Sequence, residues 1–214
     1  MKRKVIYVHG KGGSAEEAGH YEPLFPGYEV IGLDYRAENL WEAAKEFLAF
    51  FAAQRETCGE LVLVANSIGA FFSMMSLNEK LVDRAYFISP VVDMEKLIEK
   101  MMGWANVTER ELEERKEIPT ALGETLSWKI LCFVREHPPI WRVPTGILYG
   151  EQDHLTDRET MDDFAKRTGA ALTVMPGGEH WFHTEEQMRF LDAWILRSEK
   201  ECFMEKRKET WKKE

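Results

Sequence analysis

Glu60-Leu61-Val62-Leu63-Val64-Ala65-Asn66-Ser67-Ile68-Gly69-Ala70 decides how the rest of the chain is read. Residues 61–65 are a short apolar run of the kind that makes a buried strand. Ser67 follows at once, with small residues two positions before and after it, Ala65 and Gly69. Ala70-Phe71-Phe72-Ser73-Met74-Met75 then reads as a buried helix. A serine at the apex of strand, sharp turn and helix is a nucleophile elbow. The turn forces the serine into a strained backbone geometry, and the residues two away on either side pack together, so both must be small. The pattern here is A-x-S-x-G where G-x-S-x-G is usual, and Ala65 adds only a methyl group. The rival reading is a plain strand-to-helix junction whose hydroxyl caps the helix.

Working outward, Val5-Ile6-Tyr7-Val8 is a β-branched run between charge and glycine, a fully buried strand. The loop after it, His9-Gly10-Lys11-Gly12-Gly13-Ser14, lacks the spacing of a dinucleotide fingerprint. It reads instead as a loop offering backbone N–H groups to an anion. Residues 28–33 are the second strand, and Leu40, Ala44, Phe47, Leu48 and Phe51 place an amphipathic helix over 39–55. The elbow strand is third. Residues 84–88, 145–149 and 171–175 supply a fourth, fifth and sixth. Thr156 opens a capping box with Glu159 before a helix that turns Met161, Phe164 and Ala165 inward and ends at Gly169. Thr184 opens another with Gln187, and Met188, Leu191 and Ile195 line the last helix. Residues 199–214 alternate charge signs and read as a solvated extension of it.

Strands alternating with helices imply βαβ units and a parallel sheet covered on both faces. Residues 91–142 break the rhythm. They carry only helical signals: a capping box from Thr108 to Glu111, and Leu126, Ile130, Leu131 and Val134 at helical spacing. An insertion after the fourth strand, at the strands' C-terminal edge, is expected to form a helical cap over the crevice where such sheets bind ligands.

At 214 residues, 44% of them hydrophobic, the chain is expected to form one domain over 1–214 with a full-sized core. A net charge of −9 argues against nucleic acid as a partner. The three cysteines, Cys58, Cys132 and Cys202, are scattered and odd in number, suggesting neither a disulfide framework nor a C-x-x-C metal site. The apolar run behind Met1-Lys2-Arg3-Lys4 is too short for a signal-peptide core, and no apolar stretch has the length of a membrane span, so the expected location is cytoplasmic.

Each long loop after a strand contributes one chemical group. His9-Gly10-Lys11 follows the first strand, Ser67 the third, Gly150-Glu151-Gln152-Asp153 the fifth and Gly177-Gly178-Glu179-His180 the sixth. All converge at the C-terminal edge of a parallel sheet. In identity, order and strand context these motifs resemble the α/β-hydrolase family over nearly the whole chain, from Val5 to about Ile195. The resemblance implies an α/β fold: a mostly parallel six-stranded sheet flanked by helices, lacking that family's first two strands, with a helical cap over about 94–141. It also implies a triad. Ser67 is the nucleophile, and His180 takes its proton, because a serine hydroxyl alone is a poor nucleophile. Asp153 holds the imidazole in the right tautomer and stabilises the imidazolium. The oxyanion donors implied are the backbone N–H groups of Lys11 and Ile68.

The residues keep rivals open. His183 competes with His180 as the base, and Asp93, after the fourth strand, competes with Asp153. Asp157 reads as part of a helix start, His154 as a surface residue turned away, and His9 as a structural tie for its loop. Trp104, Trp128, Phe133 and Trp141 read mostly as packing between cap and body. Arg36 and the Lys11 side chain raise an anionic substrate, against which the reading favoured for Arg36 is pairing with surface carboxylates. The implied activity is hydrolysis of a small-molecule carboxylic ester or thioester through an acyl-serine. The alternatives are an amide-cleaving member, for which Glu109, Glu111, Glu113 and Glu114 would have to hold an amine, and a non-hydrolytic lyase or binding protein of the same fold. Nothing in the sequence suggests a metal, nucleotide or flavin cofactor.

Overall fold

The computed structural model describes residues 2–37, 39–121 and 123–211, with side chains as far as residue 202. In chain order, β1 (Lys2–Val8) leads through a 3₁₀ helix (Ala15–Leu24) to β2 (Glu29–Gly32) and α1 (Leu40–Glu56). β3 (Cys58–Asn66), α2 (Ser67–Ser76) and β4 (Arg84–Ile88) follow. Then come α3 (Met94–Ala105), α4 (Glu109–Arg115), β5 (Glu117–Pro119), β6 (Thr125–Ser127) and α5 (Trp128–Glu136). β7 (Thr145–Gly150), α6 (Arg158–Thr168), β8 (Ala171–Met175) and α7 (Glu185–Trp211) complete the described chain. Six strands form one sheet in the order β2-β1-β3-β4-β7-β8, every pairing parallel.

The strands' alternation divides the interior in two, because successive side chains point to opposite faces. Ile6, Val8, Leu61, Leu63, Ala65, Ala85, Phe87 and Ile147 face a core shared with α1, α2 and α6. Val5, Tyr7, Val62, Val64, Tyr86, Ile88 and Leu148 face one closed by the 3₁₀ helix and α7. A sheet buried on both faces explains why these strands read as unbroken apolar runs.

Several elements differ from the sequence expectation. The buried face of α1 is Leu40, Ala43, Phe47 and Phe51, while Leu48 is exposed. The helix follows a 3-4-4 spacing, and Leu48 falls on its outer side. The segment between β4 and β7 is not wholly helical: β5 and β6 pair antiparallel as a separate two-stranded hairpin. Leu126 is therefore a strand residue, and α5 starts only at Trp128, capped by Ser127. The cap of α6 is Asp157, one residue after Thr156. Glu199 is buried rather than solvated. Its two oxygens take Arg84 Nε at 2.9 Å and Nη2 at 2.8 Å. The last three residues of the expected helical extension, 212–214, lie outside the described residues. Among the described residues no helix is long and apolar enough to cross a membrane.

Candidate active site

Ser67 is the first residue of α2 and has φ of +49°, in the left-handed region that a side chain disfavours. The cap position belongs to Asn66, whose side chain makes no capping bond, so a capping serine is not what the turn contains. Close packing holds the strain. A Cβ on Gly69 would clash with the His9 carbonyl and lie 2.9 Å from Val8 Cγ1, and a Cβ on Gly10 would come to 3.1 Å from Ser67 Cβ. The loop after β1 is thus pressed against the elbow, and only glycine permits the approach.

Ser67 Oγ lies 2.9 Å from His180 Nε2, and His180 Nδ1 lies 2.7 Å from Asp153 Oδ2. A carboxylate only accepts, so Nδ1–H donates to it and Nε2 is left to accept the serine proton. The Asp153 side chain is fully buried and that of His180 nearly so. Asp153 Oδ1 takes the N–H of Leu155 at 2.8 Å and of Thr156 at 3.2 Å, so the carboxylate cannot rotate away from the ring. His180, 113 positions from Ser67 in sequence, reaches it because the loops after β7 and β8 are laced together. Glu151 N donates to Met175 O and Gln152 N to Gly178 O, while a Cβ on Gly150 would collide with backbone of Gly178 and Glu179.

Ile68 is second in α2, where an N–H has no carbonyl four residues back to bond. The Lys11 backbone lies in the loop packed against Ser67. The Lys11 side chain reaches the β5–β6 turn and pairs with Glu124. His9 behaves as a tie: its Nδ1–H donates to Gly10 O at 2.8 Å, its ring stacks on Tyr35 at 4.3 Å, and Tyr35 donates to its carbonyl at 2.9 Å.

The rivals fall elsewhere. His183 Nδ1–H donates to Trp181 O, and the ring stacks on Trp181. It precedes the Thr184–Gln187 capping box of α7 rather than entering the first turn. Asp93 caps α3, accepting from Lys96 N at 3.0 Å, and Asp157 caps α6, accepting from Thr160 N at 2.9 Å. Glu109 pairs with Arg135, Glu111 closes the Thr108 cap and Glu114 pairs with Arg110. None of these, nor Glu113, lines the cavities at Ser67.

Two cavities meet at Ser67. One, of about 390 Å³, is apolar and bounded by Ile68, Phe72, Met94, Leu97, Met101 and Leu126. The other, of about 430 Å³, is the more polar of the two: residues 10–13, Glu17, Asn66 and His180 border it, with Ile88, Leu155, Trp181 and Phe182 as its apolar part. His154 is a correction to the sequence reading: it lines the apolar cavity, its ring 6.5 Å from that of His180 and 6.3 Å from that of Trp104. Of the four aromatics singled out in the sequence, Trp104 alone lines that cavity, while Trp141 is buried against Phe87 with its indole N–H on Thr145. Arg36 borders a third cavity beside Lys11 and Glu124.

Sequence reasoning missed a further polar series. Glu17 Oε2 accepts from the Tyr7 hydroxyl, whose oxygen accepts from Asn66 Nδ2 at 3.2 Å, while Glu17 Oε1 accepts from Ser14 N at 3.2 Å. Burial pushes the Tyr7 hydroxyl far above its ordinary range, so it stays a donor. The Ser-x-x-Glu box at Ser14–Glu17 was the available signal. Among the described residues no group of three or more His, Cys, Asp or Glu is arranged to hold a metal ion.

No family model and no curated protein matches the sequence. Solved structures do match. Est1E from Butyrivibrio proteoclasticus aligns with TM-score 0.75 and 16% identity over 95% of this chain and 89% of its own. Mouse alpha/beta hydrolase domain-containing protein 10 aligns with TM-score 0.74 and 15% identity over 93% and 90%. The thioesterase domain from the curacin biosynthetic pathway gives 0.54 and 16% over 91% of each chain. The chain has the α/β-hydrolase fold.

Proposed function

We propose that the protein is a serine hydrolase that cleaves a small-molecule carboxylic ester or thioester through an acyl-serine intermediate. The observation that carries this reading is the hydrogen-bonded series from Ser67 through His180 to Asp153, beginning at a serine held at φ of +49°. His180 Nε2 takes the hydroxyl proton as Oγ bonds to the acyl carbon. The developing oxyanion is met by the N–H groups of Ile68 and Lys11; one such donor typically contributes about 3–4 kcal/mol to the transition state. The bond to the leaving group breaks as the imidazolium returns the proton to it. Water then bonds to the acyl carbon as its proton passes to His180; the bond from Oγ breaks, the imidazolium returns the proton to Oγ, and the acid is released. Asp153 keeps Nδ1 protonated throughout and balances the imidazolium.

The 94–141 segment acts in this reading as a cap on one domain, since Met94, Leu97, Met101 and Leu126 wall the cavity at Ser67. The curacin-pathway neighbour is a thioesterase by name, which agrees with acyl transfer to water. An amide-cleaving reading loses its support, because none of the four glutamates it needs lines the cavities at Ser67. The test is labelling with a fluorophosphonate. Wild type is labelled at Ser67, Ser67→Ala is not, and the wild type turns over p-nitrophenyl esters. Labelling at Ser14 or Ser89 instead, or a folded wild type that neither labels nor hydrolyses, overturns the reading.

A further inference from the structure

We propose that the site takes its substrate in one direction, with an apolar acyl group under the 94–141 segment and a hydroxyl-rich leaving group in the Glu17 cavity. The proposal rests on the serine-hydrolase reading and deepens it. Ser67 and Lys11 border both cavities, so the tetrahedral carbon lies where the two join. The leaving oxygen must receive its proton from His180 Nε2. His180 lines the polar cavity and is not among the residues of the apolar one. The group that departs protonated therefore leaves on the polar side, and the group that stays on Ser67 lies on the apolar side.

The two walls suit those two roles. The apolar cavity is made by residues of α1, α2, α3 and the β5–β6 hairpin, and methylenes placed there leave water. In the polar cavity Glu17 is held by two donors, Tyr7 O–H and Ser14 N–H. A carboxylate has about four acceptor positions, so roughly two remain for a ligand. Among the described residues no cation pairs with Glu17, whereas Lys11, which borders the same cavity, is engaged by Glu124. A hydroxyl both donates and accepts, and so can bond the carboxylate and the glycine-loop backbone together; an ammonium only donates. An ammonium would also face the imidazolium that forms on His180 during the reaction. The alcohol favoured is therefore a neutral polyol of glycerol or sugar type.

The experiment uses acetyl, butyryl and octanoyl esters of glycerol and of 1-propanol, together with butyryl esters of 1-hexanol and choline, with wild type, Glu17→Gln and Leu97→Trp. For wild type kcat/KM should rise with acyl length by up to about fourfold per methylene. It should change little when the propyl group is lengthened. Leu97→Trp, which fills the apolar cavity, should cut octanoyl esters far more than acetyl esters. Glu17→Gln should lower the ratio of glyceryl to propyl ester rates by about tenfold, the usual order for a hydrogen bond to a charged group. Taking the ratio cancels any general loss of activity, and retained fluorophosphonate labelling shows that the variant is folded. A steep dependence on alcohol length instead of acyl length overturns the orientation. An unchanged ratio in Glu17→Gln, or a choline ester preferred over the glyceryl ester, overturns the leaving-group assignment. Absent labelling with absent hydrolysis brings down the serine-hydrolase reading and this proposal with it; labelling with a flat or reversed dependence overturns the proposal alone.

Discussion

β3 and β4 carry a polar cluster at each end, and the two clusters are built on opposite principles. At the N-terminal ends, Arg84 Nη1 donates to Glu60 at 2.5 Å and Nη2 to Tyr28 at 2.9 Å, and the guanidinium grips Glu199 of α7 with two bonds. Tyr86 donates to the same Glu199, and Tyr28 to the other oxygen of Glu60. Burial is the largest single influence and works against the Arg84 charge, but Glu199, Tyr28 and Tyr86 together outweigh it and hold the guanidinium above its ordinary value. At the C-terminal ends the account does not close. Ser67 and Ser89 both have positive φ, and Asn66 Oδ1 and Ser89 Oγ are buried without a partner. The series His180–Asp153 ends on a serine that opens into two cavities. Buried charge alone therefore says little about function. What separates the two ends is strain, incomplete satisfaction and empty space beside Ser67.

The largest effect expected from this contrast is at Asp153. Asp153→Asn keeps the shape but leaves Nδ1 facing an amide, which favours the wrong tautomer. In a well-studied triad that change lowers turnover by about 10⁴, and a loss of that order is expected here in steady-state hydrolysis of a p-nitrophenyl ester. Asp93→Asn should alter only the capping of α3. If Asp93→Asn were the damaging change, the acid would belong to the β4 loop and the assignment at the C-terminal end would fail.

The opposite end should respond in stability and not in chemistry. Arg84→Met strands Glu199 and Glu60 without their cation, which typically costs about 3–5 kcal/mol. For a chain of this size that lowers the melting temperature by roughly 6–20 °C. Fluorophosphonate labelling well below the transition should proceed at the wild-type rate. A variant that melts normally but labels slowly would mean that the two ends are coupled through β3 and β4.

How much of this was legible in sequence follows from how local each signal is. Ser67, Asp153 and His180 could be found because each follows its own apolar strand, and a parallel sheet brings such loops together whatever their separation. Gly69 was legible for a steric reason that the Val8 and His9 contacts now specify. Glu199 was not, because its burial depends on Arg84, 115 positions away. The hairpin was missed because strands of three residues, Glu117–Pro119 and Thr125–Ser127, are too short to display a period. The phase of α1 slipped because Ala43 and Ala44 differ in nothing but position. His154 was misread since its neighbour Asp153 points inward, and in a turn adjacent side chains follow no fixed alternation.

A smaller effect tests the strain itself. At φ of +49° a Cβ is disfavoured, so Ser67→Gly should be more stable than Ser67→Ala by about 1 kcal/mol, although both are inactive. Ala49→Gly, on the exposed side of α1, should show the reverse sign and a similar size. Chemical denaturation of the four proteins measures both differences. Equal stability of the two Ser67 variants would mean that the elbow relaxes once the hydroxyl is gone, and the strain would then not be built into the backbone.

The smallest effect separates two carboxylates of one loop. Asp157 lies four residues beyond Asp153 and caps α6 instead of meeting a histidine. The Thr160 N–H is the main cause that holds its carboxyl at about 2, with Lys100 assisting. A depressed value of this kind means that the folded state prefers the ionised form. Its contribution is complete above the ordinary aspartate value of about 3.9 and is lost as pH falls through about 2. Its side chain is 48% exposed, so solvent screens the charge and the contribution is that of an ordinary cap, about 1 kcal/mol. Asp157→Ala should therefore melt below wild type at pH 7, by a difference that shrinks as the buffer is taken from pH 4 towards pH 2. Asp157→Asn, which keeps a capping oxygen, should lie between them. Turnover by both variants should match wild type at pH 7. A fall in turnover comparable with that of Asp153→Asn would place both carboxylates in the chemistry and erase the division between a loop's structural acid and its reactive one.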